Sequence, residues 1–531
     1  MMASVSELVG TQPILALFLA IGLGYAVGQI SILNFSLGVA AVLFVGLLIG
    51  ALAPKAQITG PLGLVGLIMF LYAIGILYGR QFFEGLSGPG RIYNVLATVA
   101  VVASLLVALG LGAIFDVKLG HTLGIFAGSM VSTAALQAAL DTIGNRDPSV
   151  GYSVSYPFGV IGPILCLYFM TRRAKPVFPP KPSRFHLGEV TLERLPSSGA
   201  TLGAVMATLP AGVQIAGVRQ EHHNRLPDPD LELHAGDALL IAADRAAALD
   251  EVATALGHID QGRLAKDRSD ITYQRFFVSK SALTSVRLAD LPMPPDVLIR
   301  ILHVRRYDVD LMPSPDLMLE LGDRVGVIVA PEQVVAARAH FGDTLKSAAE
   351  FSYVSVGLGM VLGVLLGLLP IPVPGVGTVT LGIGGGPLIV ALILGRLRRT
   401  GPLSWVMPLP ANIVLRNFGL TLFLATVGIN SGQAFVTTVA QTGPLMLLIG
   451  VAVLLTTVAI VLLVGFYLLK IPYDDLLGVA CGATGNPAIL AYSLRIAPTD
   501  RPDICYAMIF PSMTIVKVLS VQIIGLLSLS G

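Results

Sequence analysis

The stretch GATGNPAILAY, Gly482 to Tyr492, places two glycines, an asparagine and a proline inside a long apolar run. Proline donates no backbone N–H and glycine weakens a helix, so a helix through this run is expected to break near Asn486 and Pro487. In hydrocarbon, each backbone group freed by the break must find its partner within the protein. A second such stretch, GSMVSTAALQA from Gly128 to Ala138, lies 354 residues earlier in a similar setting. Aligning Leu123–Leu165 with Leu477–Leu519 without gaps gives eleven identities over 43 positions, among them Gly124/Gly478, Gly128/Gly482, Pro148/Pro502, Tyr152/Tyr506 and Pro157/Pro511. Upstream, GILYGRQF (Gly75–Phe82) echoes GINSGQAF (Gly428–Phe435) at an offset of 353. A duplication that carries broken helices is the mark of secondary transporters, in which the two copies are commonly inverted.

The rest of the chain agrees with a membrane setting. Of its 531 residues, 54% are hydrophobic and 12% charged, against about 25% charged in a soluble domain. Mean hydropathy is +0.80. Apolar segments lie near 13–30, 33–53, 60–79, 93–115, 121–141 and 150–171, then near 352–371, 376–396, 411–429, 443–470, 476–496 and 504–529. A helix needs about 20 residues to span the hydrocarbon, so ten to twelve spans are expected. The first run starts near Pro13 and continues into another, which reads as a membrane helix and not as a cleaved leader. Cys166, Cys481 and Cys505 lie in apolar segments and suit neither a disulfide framework nor a metal cluster. A net charge of +2 implies no nucleic-acid partner.

Charge is concentrated in the middle. Between Arg172 and Glu350 lie 21 of 34 Lys and Arg and 23 of 32 Asp and Glu, so a polar insert separates membrane halves 1–175 and 350–531. Arg172, Arg173, Lys175 and Lys181 directly follow the sixth apolar segment, and Arg396, Arg398 and Arg399 share one short loop. The positive-inside rule then makes both loops and the insert cytoplasmic.

The insert divides into two units, 184–258 and 270–345, each about 70 residues and small for an independent core. Pairing with each other or with a second subunit would bury more apolar surface. LHAGDALLIAADRAAALDEVATALG in the first and LELGDRVGVIVAPEQVVAARAHFG in the second read as apolar strands around a Gly-Asp hairpin turn, followed by a helix. With VRQEHHNRLPDPDLELHAGD and VRRYDVDLMPSPDLMLELGD, the two units resemble the RCK-C or TrkA-C regulatory domains of potassium-conductance regulators. A tandem pair of these between two duplicated membrane halves resembles the aspartate:alanine exchanger family. That resemblance implies an α-helical polytopic protein of two inverted, broken-helix halves working as an elevator, with an inserted α+β cytoplasmic region. It also implies a homodimer in the bacterial inner membrane that exchanges small amino and dicarboxylic acids.

Candidate binding residues come first from the two polar stretches: Ser129, Ser132, Thr133 and Gln137 in one, Thr484, Gly485, Asn486 and Pro487 in the other. Half-helix N-termini attract anions and unwound carbonyls attract cations, although small residues that let helices pack closely give the same pattern. Charges within apolar segments are costly and default to function. Arg416, with Asn412 and Asn417 beside it, can grip a carboxylate through two parallel hydrogen bonds, or snorkel from a helix end. Arg80 follows LYAIGILYG near an interface, whereas Lys517 lies deeper, in FPSMTIVKVLSVQIIG, at the column of Pro163. Asp141 shares its column with Arg495 and is a candidate coupling group or a solvated helix end. Asp474 and Asp475 suit a helix start, and His121 an interface.

No Walker A, GxSxG or HExxH motif is present, so neither an enzyme nor ATP-driven transport is expected, and no cofactor or metal is implied. The leading expectation is aspartate-for-alanine exchange, the C4-dicarboxylate (succinate-type) exporter being a close variant. The regulatory domains keep open an RCK-regulated cation channel or antiporter, against which stand the missing TVGYG-like filter and a missing NAD-binding lobe. A third reading makes the insert an enzyme or a sensor of a small regulatory ligand in its own right, and the lack of clustered catalytic groups favours the sensor.

Overall fold

The computed structural model describes residues 2–30, 38–176, 178, 186–195, 201–210, 212–243, 245–260, 262, 270–284, 286–294, 297–306, 309–320, 322–343, 352–373, 377–497, 499 and 501–530. The unit boundaries expected at 184, 345 and 350 lie outside the described residues. The chain divides into a unit of Met1–Pro179 with Ser352–Gly531 and a unit of Pro180–Phe351.

The N-terminal part of the first unit runs through α1 (Met2–Thr11), α2 (Pro13–Gly28), α3 (Ala41–Leu52), α4 (Leu62–Gly85), α5 (Pro89–Ile114), α6 (Leu119–Ser129), α7 (Thr133–Ile143) and α8 (Asp147–Ala174). The second unit follows. Its first sheet has strands β1 (His186–Leu192), β2 (Val213–Gln220), β3 (His223–Arg225), β4 (Ala238–Ala243) and β5 (Gly257–Asp260) in the order β3-β2-β4-β1-β5, with helices α9 (Leu202–Thr208) and α10 (Ala246–Leu256). Its second sheet has β6 (Thr272–Phe277), β7 (Ile299–Arg306), β8 (Val309–Leu311) and β9 (Arg324–Val329) in the order β6-β9-β7-β8, with helix α11 (Val334–Phe341). The chain then returns to the first unit as α12 (Tyr353–Leu368), α13 (Gly382–Leu397), α14 (Leu409–Ala459, extended by a π-helical turn Ile460–Leu468), α15 (Tyr473–Thr484), α16 (Pro487–Ile496) and α17 (Arg501–Ser530). Among the described residues, five helices, α4, α8 and α17 among them, are long and apolar enough to cross a membrane.

Lipid tails supply no hydrophobic force between helices, so close backbone approach through small residues holds such a unit together. Gly66 of α4 and Gly419 of α14 face each other: a Cβ on either would sit 2.5 Å from the other's carbonyl oxygen. The helix α3 seats Gly46 and Gly50 on α14 at Gly428 and Ile429, and α13 seats Gly395 on α4 at Gly75 and Ile76. The helices α6 and α8 meet where Gly124 touches the Pro148 carbonyl; α15 and α17 meet where Gly478 touches that of Pro502.

One expected loop is helical. Residues 430–442 read as a loop between segments 411–429 and 443–470, but α14 runs through them without a break. The stretch NSGQAFVTTVAQT is polar enough to resemble a connection, yet it contains no proline. The first such breaker is Pro444, which removes a single helical donor and marks the place for a bend.

In the second unit the Gly-Asp pairs do not form hairpin turns. Gly236 (φ 97°) and Gly322 (φ 90°) take the left-handed conformation. Asp237 and Asp323 then accept the His234 and Glu320 N–H groups, each at 2.8 Å. A carboxylate that closes the loop on itself takes the place of a ladder reversal. The following strands β4 and β9 instead lie inside their sheets, each between two antiparallel neighbours. The tight hairpin joins β2 to β3 at Glu221 and His222. Each sheet has its own core on one face, and Ala216 and Leu240 of the first meet Ile271, Leu302 and Ile328 of the second.

Candidate functional site

Two helix breaks define the site. The helix α6 ends at Ser129, Met130 caps it, and Val131 takes a left-handed φ of 47°. Ser132 then starts α7, its hydroxyl accepting the Ala135 N–H at 3.3 Å as an N-cap. A β-branched residue at positive φ is a strained choice, which persists only where its surroundings hold it. In the second break α15 ends at Thr484, Gly485 takes φ 81°, and α16 starts at Pro487. Val131 and Gly485 are 354 residues apart, the offset that aligns the two stretches.

The two breaks come together at Lys517. Its ammonium lies in α17, is 1% exposed, and donates to the Met130 carbonyl at 3.3 Å. A Cβ on Gly485 would lie 3.2 Å from that carbonyl and 3.4 Å from Lys517 Nζ. Lys517 makes no ion pair among the described residues. A buried ammonium held by one neutral carbonyl is costly, and a carboxylate brought to it would relieve that cost. The cation sits at the C-terminal ends of α6 and α15, capped by Met130 and Gly485, and α7 and α16, whose N-terminal dipoles favour an anion, begin within three residues of those caps.

The remaining candidates divide. Ser132, Thr133, Asn486 and Thr484 are buried at the breaks. Asn486 Nδ2 donates to the Val160 carbonyl at 3.4 Å, fixing the second break to α8. Ser129 Oγ donates to the Gly450 carbonyl at 3.0 Å, fixing the first to α14. Thr484 turns its hydroxyl back onto Ala480, while the hydroxyl of Thr133 has no partner among the described residues. Gln137 lies one turn further along α7, donates to Asp141 at 2.7 Å, and lines a separate cavity. Arg80 is remote: it is exposed and pairs with Glu84 at 2.8 Å. Arg416 and Asn417 lie on the first turns of α14, half-buried, with Arg416 beside the hydroxyls of Tyr78 and Tyr506. Arg495, the column partner of Asp141, stacks over Tyr492.

A cluster that sequence reasoning missed lies at the start of α15. Asp475 is fully buried, forms a two-pronged ion pair with Arg501, and accepts from Tyr93 at 2.6 Å and from Cys505 at 3.5 Å. The columns of Asp475 and Arg501 in the first half hold His121 and Asp147, which lie 3.5 Å apart. Acid and base have exchanged places, a signal that the same offset shows once the alignment is extended two residues upstream.

A family model described as a predicted permease membrane region, the Asp-Al_Ex family, matches residues 16–171 and 355–526. This chain belongs to that family. An uncharacterized transporter of Geobacter sulfurreducens is 38% identical over 539 residues, covering 97% of this chain and 98% of its own length. Similar proteins of Corynebacterium efficiens and Symbiobacterium thermophilum, also uncharacterized transporters, are 35% and 34% identical, each covering 98% of this chain and 99% of its own length. The protein is thus a multi-pass membrane protein of a transporter family, and no enzyme family is indicated. The matched residues include α6, α7, α15 and α16, the helices that carry both breaks, and Lys517.

Proposed function

We propose that this transporter is a secondary exchanger of small carboxylates, aspartate against alanine in its simplest form, in the bacterial inner membrane. The observation that carries the reading is Lys517: a buried ammonium at the two helix breaks, held by the Met130 backbone carbonyl. The substrate carboxylate takes the ammonium as its partner. The hydroxyl of Thr133 and the amide of Asn486 bind the remaining polar groups, and α7 and α16 add their positive ends.

The two halves act as inverted copies. In support, Asp116 and Lys470 both have φ 52°, Val131 and Gly485 are both left-handed, and each pair is separated by 354 residues. Gly66 and Gly419, 353 residues apart, touch each other, as two equivalent positions do on a two-fold axis. The helices that carry both breaks move as an elevator against the other membrane helices, in a homodimer. The two sheets of the second unit serve as cytoplasmic RCK-C-like regulators that bind a small ligand; their matched Gly-Asp loops support this reading.

Proteoliposomes loaded with aspartate, alanine or succinate test the function. Labelled aspartate should enter loaded vesicles and stay outside empty ones. Equal uptake into both refutes exchange, and a current carried by potassium without any organic acid replaces the carrier by a channel.

A further inference from the structure

A cavity of about 200 Å³ lies between α4, α7, α8 and α14, and its polar lining includes Gln137, Arg146, Ser149, Thr426 and Ser431. It is smaller than the pockets of about 300–1,000 Å³ that take drug-sized ligands, and suits a solute of a few heavy atoms. Thr426 is 8% exposed and its hydroxyl has no partner among the described residues. A buried hydroxyl without a partner is destabilising unless a ligand or water completes it. Arg146 crosses the rim, donating to the Asn430 carbonyl at 2.6 Å and to Gln57 at 3.1 Å, with further N–H groups to offer. The α7 face that forms one wall begins at the break, at Thr133.

The equivalent positions of the other half carry larger side chains. At offsets of 353 and 354, Gly63, Ser431 and Ser149 fall on Arg416, Tyr78 and Asp503. Three small residues are thus replaced by three large ones. Tyr78 meets Tyr506 edge to face with centroids 5.8 Å apart, Arg416 hydrogen-bonds the Tyr78 hydroxyl, and Asp503 lies within electrostatic range of both tyrosines. Where the first half has space, the second sets bulky side chains against one another.

We propose that this cavity is the access chamber by which a small carboxylate reaches the break at Ser132 and Thr133, and that Arg416, Tyr78 and Asp503 are the closed gate of the equivalent chamber in the other half. Thr426 and Gln137 supply hydrogen bonds on the way, and Arg146 attracts the carboxylate at the mouth. The proposal rests on the transporter reading. It gives Arg416 a part other than holding substrate in the conformation seen.

Thr426→Cys and, separately, Ser431→Cys test it, with the native thiols of the unsubstituted protein as control. A membrane-impermeant maleimide, applied to vesicles of each orientation, should label both variants from one face only. Aspartate at ten times its half-saturating concentration should slow that labelling about tenfold. Adding Tyr78→Ser and Arg416→Gly to an Ala73→Cys variant, at the column of Thr426, should expose that thiol to the opposite face. Thiols at 426 and 431 that stay unreactive from both faces in monodisperse protein overturn the chamber, as does equal labelling from both. Labelling that aspartate, alanine and succinate all leave unchanged overturns the carboxylate occupant. One-sided labelling in a protein that exchanges none of the three solutes overturns the exchanger reading and leaves the chamber standing.

Discussion

Lys517 was legible because a charge deep in an apolar run rarely has a bland explanation. What no sequence pattern shows is that its partner is the Met130 carbonyl, 387 residues away. Arg80 and Arg416 carry the same charge and read similarly, yet hydropathy does not tell a helix end from a helix middle that faces protein. Gly485 was legible as a breaker, and its structural demand is specific: a left-handed φ and a tight approach, 3.2 Å for a Cβ, to the Met130 carbonyl. Gly485→Ala should therefore cost about 1–2 kcal/mol from the left-handed backbone alone, read as a lower melting temperature in detergent. Asn486→Leu should abolish exchange while the purified protein remains monodisperse; unchanged transport would return the second break to a packing role.

Between helices, the informative features are contacts made far apart in sequence. The second break followed from Gly485, Asn486 and Pro487 in an apolar run, and the first from the alignment of GSMVSTAALQA with that stretch. The burial of Asp475 did not, because an aspartate at a helix start ordinarily sits in solvent and interacts with the dipole. Its partners Tyr93 and Arg501 are 382 and 26 residues away. The pair is asymmetric: Asp475 is fully buried, while the Arg501 side chain is 52% exposed. Arg501→Ala strands a buried carboxylate and should cost about 3–5 kcal/mol. Asp475→Asn leaves a guanidinium that water can solvate and should cost less, about 1–3 kcal/mol. Thermal melting of the two variants checks the order; a larger loss for Asp475→Asn would contradict the burial argument. Gly66→Val should fail to yield monodisperse protein, since its side chain meets the Gly419 carbonyl and the backbone of α14.

Over the whole chain, the division into apolar, polar and apolar thirds came directly from charge. The joining of 411–429 to 443–470 as one helix did not, because a polar stretch without proline is as compatible with a helix as with a loop. The chamber was also illegible: Thr426, Ser149 and Arg146 are ordinary residues until the fold brings α4, α7 and α14 around one space. The most direct measurement is counterflow of labelled aspartate into loaded proteoliposomes by the unsubstituted protein and by Lys517→Met. Methionine fills similar space without the charge, so folding should be retained or improved. A lost charge-assisted bond worth about 2–3 kcal/mol should lower the rate at limiting substrate roughly 30- to 150-fold. Exchange by Lys517→Met at the unsubstituted rate would contradict a substrate carboxylate bound between the two helix breaks.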